Sequence, residues 1–212
     1  MTTIDLILGS ASSARADILR RAGLPFRQRP ADIDEAALAA TIRLPRDQAQ
    51  RLATAKAHAV ADLVLSERPV TDPTYIIAAD SVFEFEGTPY GKPLQANVAR
   101  TRWHAQRGKT GTLHTGHCIL ELSDNQTQRI GEETVSADVS FAQVSDAVIE
   151  DYLATQEPLF VAGGFTLEGH GATMIERIDG DPNAVLGLSL RAVRELLETM
   201  GISLTTLWQV AN

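Results

Sequence analysis

An aspartate in the middle of an apolar run is the residue of this sequence best placed to do chemistry. Asp80 follows Tyr75-Ile76-Ile77-Ala78-Ala79 and precedes Ser81-Val82. A carboxylate in such a run is costly to bury unless it is hydrogen-bonded, protonated or bound to a cation. It is therefore either a paired structural acid or a functional one that accepts a proton or faces a metal ion. Lys56 poses the same question among Ala53, Ala55, Ala57 and Ala59. Its ammonium either snorkels to solvent or brings positive charge into a site. Lys92, in Gly91-Lys92-Pro93, puts a further cation just past a turn, where it could equally be loop charge. Glu35, in Asp32-Ile33-Asp34-Glu35, reads by itself as part of a solvated acidic loop.

A second cluster is Gly9-Ser10-Ala11-Ser12-Ser13-Ala14-Arg15, small hydroxyl residues and one arginine where an apolar strand gives way to a helix. Free amides and the positive end of the helix dipole at such a turn hold phosphate, although a plain serine N-cap has the same composition. Other motifs fail on spacing. Gly108-Lys109-Thr110 lacks the earlier glycine of a Walker A loop, because Trp103 stands there. His114 and His117 point to opposite faces of a strand, and His114 and Cys118 lie about 13 Å apart at the usual rise, so they are no ligand set. Asp179-Gly180-Asp181-Pro182-Asn183 begins like a calcium loop, but Ala184 and Leu190 replace the glycine and glutamate that such a loop needs. It reads as a tight turn leading to a last strand and helix. Gly163, Gly164, Gly169 and Gly171 do not have dinucleotide spacing and read as close backbone approaches.

These residues must be positioned by an irregular alternation of strands and helices. Ile4 to Gly9 reads as a buried strand, followed by a helix from about Ala14 to Ala22 that stops at Gly23. Leu52, Ala55, Ala59, Val60 and Leu63 recur at helical spacing within a long helix from Arg46 to Leu65. Tyr75 to Phe85 is a strand and 95 to 106 a helix. Thr112 to Leu122 and Glu132 to Phe141 are strands, with the polar Ser123-Asp124-Asn125-Gln126 between them. Val148 to Thr155 is a helix, and the last helix runs from a Ser189 cap to Met200. The class is α/β or α+β with a mixed sheet flanked by helices, and no linker divides residues 1–212 into two domains.

Composition narrows the partners. The chain has 212 residues with 19 Lys and Arg against 27 Asp and Glu, a net charge of -8, which is the wrong sign for binding a nucleic-acid polymer or an anionic membrane. Aromatic residues are only 5%, too few for an extended base-stacking platform. The single cysteine, Cys118, allows no intrachain disulfide. Met1-Thr2-Thr3-Ile4-Asp5 has no secretory signature, and no apolar run approaches a membrane span, so a cytoplasmic protein is expected.

Taken in order, the segments resemble the Maf-like family of nucleoside triphosphate pyrophosphatases. The resemblance rests on Leu6-Ile7-Leu8-Gly9-Ser10 with Ser12 and Arg15, then Asp34-Glu35, Ala55-Lys56-Ala57, Ala79-Asp80-Ser81 and Gly91-Lys92-Pro93. It continues through Thr115-Gly116, Glu157-Pro158, Ala162-Gly163-Gly164-Phe165, Glu168-Gly169, Ile178-Asp179-Gly180-Asp181 and Val185-Leu186-Gly187-Leu188. It implies an inosine triphosphatase-like fold with a strongly twisted sheet, and hydrolysis of a nucleoside triphosphate to monophosphate and pyrophosphate with a divalent cation, Mg²⁺ or Mn²⁺. Asp80 becomes the catalytic acid that accepts the proton of water, close to the metal. Ser10, Ser12, Arg15, Lys56 and Lys92 line the triphosphate, and Glu35 helps hold the metal or the water. A homodimer is left open.

The chain departs from the family where a second arginine often flanks Arg15, here Ala14 and Ala16, and where many members carry Asp-Lys, here Phe160-Val161. Ala14, Ser81 and Glu168 occupy the specificity positions. Thymidine/uridine triphosphatases of the family tend to carry Arg, Thr and Gln there, and 7-methylguanosine triphosphatases Trp, Gln and Glu, so this chain agrees with the second type only at Glu168. The substrate assignment therefore stays generic, a nucleoside triphosphate, with non-standard or modified nucleotides as the expectation that the resemblance favours and with Phe165 and Glu168 able to stack on and hydrogen-bond a base. The alternative is a nucleotide-binding regulator of cell division without turnover. Asp80 favours the enzyme, because a pure triphosphate binder has no use for a carboxylate facing an anion.

Overall fold

The apolar run Leu6-Ile7-Leu8 is wholly buried and forms the heart of β1 (Asp5–Leu8), a strand that both faces of the molecule must cover. The computed structural model describes residues 4–208; residues 1–3, part of the stretch read as lacking a secretory leader, lie outside it. After β1 come α1 (Ser13–Arg21), β2 (Arg27–Gln28), α2 (Glu35–Ala40), α3 (Pro45–Glu67), β3 (Thr74–Phe85) and β4 (Thr88–Tyr90). They are followed by α4 (Ala96–Gln106), β5 (Thr110–Ser123), β6 (Gln126–Phe141), α5 (Asp146–Ala154), β7 (Ile175–Asp179), α6 (Pro182–Val185) and α7 (Leu190–Thr199), with short 3₁₀ turns between α5 and β7. The mixed sheet has the order β2-β1-β3-β5-β6-β7, with β4 on the far half of β3. β1 runs parallel to β2 and β3, and the remaining pairs are antiparallel.

The strand alternation divides the core. Ile76, Ala78, Cys118 and Leu120 face α3, against Ala53, Ala57, Val60 and Val64. The opposite face is covered at one end by α1 and α7, packed on Leu8, Ile77 and Ile119. At its other end α4 and α5 cover Phe83, Phe85, Leu113 and Phe141. Apart from three local differences, the expected helices and strands are present to within a few residues. No helix of the described residues is long and apolar enough to cross a membrane.

Three local expectations are corrected. The strand placed at Glu132 begins at Gln126, because Asp124 and Asn125 both take positive φ and close a two-residue hairpin. The first half of β6 is exposed and carries no apolar alternation to announce it. The acidic stretch at Glu35 is not a loop: Asp34 accepts from the Ala37 N–H at 2.9 Å and caps α2, which buries no residue and so leaves no apolar stripe in the sequence. Asp179-Asn183 does not lead to a last strand, since β7 ends there and Asp181 caps the short α6.

One glycine sets the distance between α3 and the sheet. Gly116 pairs with Asp80 across β5 and β3, and a Cβ there would strike the backbone of Ala49 and Gln50 on α3, which cannot move aside as a side chain can. Gly116→Ala is expected to lower the unfolding free energy by about 1–3 kcal/mol. Gly91→Ala, where a Cβ meets nothing within 4 Å, should leave it unchanged. Denaturant titration of both variants checks this.

Candidate active site

β3 loses its neighbour where the chemistry is needed. β1 pairs with residues 74–77 of β3 and leaves after Gly9 N–H donates to the Ile77 carbonyl at 2.8 Å. β4 takes over only at Phe83. Between them, residues 78–82 have β5 on one side and no strand on the other, so Asp80 and Ser81, on opposite faces, both reach one cleft of about 880 Å³. The cleft lies beyond the carboxyl end of β1, the usual position of ligands in sheets with parallel strands.

Lys56 projects from α3 onto Asp80, and the two side chains are 9% and 11% exposed. The ammonium donates to Asp80 Oδ1 and lies 2.9 Å from Glu35 Oε1 on α2. Of the two readings of Lys56, the snorkelling one is therefore excluded: α3 approaches at Gly116, and its lysine is held between two carboxylates. Asp80 Oδ2 has no partner among the described residues, and Asp80 lines the cleft. The half-exposed Glu35 completes an arrangement in which two hard-oxygen groups share one cation.

The serine turn follows. Ser12 caps α1 by accepting from the Arg15 N–H at 3.3 Å, so the plain capping role is real. Ser10 Oγ accepts from the Ser12 N–H at 3.2 Å and from Arg15 Nη1 at 3.1 Å. Arg15 also donates through Nε to the Gly187 carbonyl at 2.8 Å and through Nη2 to Ser81 Oγ at 3.3 Å. Burial lowers the pKa of this guanidinium, and the charges of Asp80 and Glu35 oppose the shift. Ser81 Oγ is 2.9 Å from Thr115 Oγ1, which donates to the Ala184 carbonyl at 2.8 Å. Arg15 thus ties the serine turn to β3 and to the loop after α6, while Ala14 lines the cleft beside it.

His117 locks that loop from below. Its Nε2 accepts from the Ser189 N–H at 2.8 Å, while its Nδ1 is 3.2 Å from the Glu133 carbonyl. Ser189 in turn caps α7 and donates to Asp181. Desolvation pulls the His117 pKa down to about 4.

The opposite flank carries the exposed Lys92 and the segment 160–168. Glu157 fastens this segment: it accepts from Tyr152 Oη at 3.1 Å, from Thr166 Oγ1, and from the N–H groups of His170 and Gly171 at 3.0 and 2.9 Å. Burial alone would raise its pKa, but these donors outweigh it and bring it down to about 2. Trp103 Nε1 holds the Gly164 carbonyl at 2.8 Å. Glu168 is exposed and accepts from the Leu167 N–H at 3.1 Å, with its other oxygen unpartnered among the described residues. Phe165 does not offer a stacking face: it is 4% exposed, edge-on to Phe83 and Phe141 at 5.3 and 5.2 Å.

Ser10, Ser12, Arg15, Glu35, Lys56, Asp80, Ser81, Lys92, Ala14 and Glu168 therefore all line one cleft. By residue type His117 was weighed only as a metal ligand, and Thr115 and Glu157 were not singled out; the decisive partners of Thr115 and His117 lie 69 and 72 positions away, and those of Glu157 lie 5 to 14 away. The signal for Glu157 was local: an acid before a glycine-rich segment meets many free amides.

The sequence pattern defining the Maf-like proteins matches residues 5–200. A protein of Streptomyces avermitilis named nucleoside triphosphate pyrophosphatase is 43% identical over 203 residues, covering 96% of this chain and 94% of its own length. Proteins of the same name from Rhodococcus erythropolis and Salinispora tropica are 40% and 42% identical, covering 98% and 96% of this chain and 98% and 87% of their own lengths.

The His117 contact gives a pH prediction. Its folded pKa of about 4 lies below the ordinary histidine value, so the unfolded chain takes up its proton first as pH falls. The stability it contributes is complete above about pH 6.5 and declines towards pH 4, by on the order of 3 kcal/mol. Thermal unfolding followed across this window should slope downward with acid, and His117→Gln should flatten the slope.

Proposed function

The chain belongs to the Maf-like family, and from that premise we propose that it is a nucleoside triphosphate pyrophosphatase, a hydrolase of phosphoric anhydrides that acts on non-standard or modified nucleotides in the cytoplasmic pool. The observation that carries the reading is the buried Lys56–Asp80 pair at the unpaired edge of β3, with Asp80 lining the cleft and its Oδ2 unpartnered among the described residues. Water is a poor nucleophile until a base takes its proton. Asp80 Oδ2 accepts that proton while the water oxygen bonds to the α phosphorus. The bond from the α phosphorus to its bridging oxygen breaks, and pyrophosphate leaves with the electron pair.

Charge grows on the leaving pyrophosphate, so cations and amides are needed around it. Lys92, the amides of the serine turn and the remaining N–H groups of Arg15 supply them. Lys56 balances Asp80 and Glu35, which prevents two carboxylates from repelling the incoming triphosphate. Glu168 has one oxygen free to accept from an N–H donor of the base. Ser81 is already engaged with Arg15 and Thr115, so at this position it orients Arg15 towards the phosphates.

The donor set fits a divalent cation such as Mg²⁺ or Mn²⁺. Glu35 and Asp80 both reach one ammonium, and Mg²⁺ sites commonly combine one or two carboxylates with substrate phosphates and water. Such an ion would neutralise phosphate charge. Chelation is expected to abolish turnover and Mg²⁺ or Mn²⁺ to restore it; full activity in excess chelator would remove the metal from this reading.

Asp80→Asn tests the central assignment. The amide still accepts from Lys56 but cannot take up the proton, so turnover should fall about 10²- to 10⁴-fold in a protein that still folds. Products of the wild-type protein should be monophosphate and intact pyrophosphate, resolved by anion-exchange chromatography. Orthophosphate with a diphosphate, or unchanged turnover in Asp80→Asn, would overturn the reading.

A further inference from the structure

The cleft has two unlike sides. The serine turn, Lys56 and Asp80 make one of them ionic. On the rim of the other stand two large apolar side chains, Phe160 and Leu94, each 61% exposed. Single exposed apolar residues are ordinary, but two on one rim of a ligand cleft ask for a partner. They are neighbours by construction, because the Leu94 N–H donates to the Leu159 carbonyl at 2.9 Å. Leu94 holds φ at +61°, a conformation a branched side chain rarely adopts, and strain of this kind concentrates at ligand sites.

The segment behind Phe160 is rigid. Glu157, on the same 3₁₀ turn, gathers five donor groups, and Pro158 beside it is buried. Phe160 is therefore a ring presented from a fixed support. Phe165, the other phenylalanine of this flank, is turned edge-on into the core and is not available. The one planar, weakly hydrated part of a nucleoside triphosphate is its base, and with the phosphates on the ionic side the base is left for this rim.

We propose that Phe160, with Leu94 beside it, is the platform on which the base stacks, and hence a specificity-determining residue of the reaction; this rests on the nucleotide reading above. A phenyl ring offers no hydrogen bond, so it selects by overlap area and not by exocyclic groups. It favours purines over pyrimidines and tolerates modified bases. Selection of that kind suits an enzyme that removes altered nucleotides of more than one sort.

Binding of product-like ligands tests the proposal without relying on turnover. Dissociation constants for GMP, UMP and ribose 5-phosphate are measured by calorimetry on the full chain, for wild type, Phe160→Ala and Phe160→Trp. Stacking predicts that Phe160→Ala weakens GMP by about tenfold, weakens UMP less and leaves ribose 5-phosphate unchanged. Phe160→Trp should retain or tighten GMP and quench the new indole fluorescence as it binds. Equal weakening of all three ligands, or of none, overturns the proposal. So does a change of oligomeric state in Phe160→Ala with unaltered binding, which would make the rim a protein interface. Loss of base-selective binding in Phe160→Ala in a protein that hydrolyses no triphosphate would uphold the platform and refute the pyrophosphatase reading alone.

Discussion

The buried ion pair between Lys56 and Asp80 is the constraint around which this molecule is arranged. Neither charge can leave water cheaply, and removing one partner of such a pair typically costs about 3–5 kcal/mol because the other is left uncompensated. The pair therefore requires α3 and β3 to stay in one register and at one distance. Gly116 permits the distance, and the alanine-rich face of α3 keeps the helix close along its length. Glu35 adds a second carboxylate from α2, which rests Leu38 and Ala39 on Ala49, Leu52 and Val82 and brings the carboxylate to 2.9 Å from the ammonium.

A gap in the sheet turns this pair into a site. A fully paired β3 would bury Asp80 on a closed surface, and a free edge along the whole strand would invite pairing with another chain. Here β1 covers one end and β4 the other, so only residues 78–82 are open. The opening meets the start of α1, where unpaired amides and Ser10 face the same space. Arg15 closes the far side by reaching Ser10, Ser81 and Gly187 at once, one rigid planar group binding three segments.

The second flank is stabilised by another principle. Loops that approach each other closely leave backbone amides without partners, and one half-buried carboxylate can satisfy several of them. Glu157 does so for the turn at residues 166–171, while Trp103 holds Gly164. Gly169 and Gly171 lie where a Cβ would meet the Glu157 carboxylate or the backbone of Thr166, which is why glycines recur there without any dinucleotide spacing. The result is a cleft with ionic groups on one side and an apolar rim on the other.

Much of this was legible in the residues themselves. Apolar period and turn chemistry located β3, α3, α7 and the serine turn to within a few residues, because burial forces a pattern on the chain. An acid inside an apolar run marked Asp80, since physics permits it there only with a partner. What the sequence could not decide was which partner, because Lys56 and Asp80 are 24 positions apart and their meeting depends on how α3 crosses the sheet. α2 and the first half of β6 escaped for the converse reason: they bury little, so burial left no imprint on them. Phe165 and Phe160 are alike in composition and five positions apart, yet one is sealed in an aromatic cluster and the other stands in the open. A side chain's type states what it can do; only the packing of distant segments around it determines whether it faces a ligand or the core.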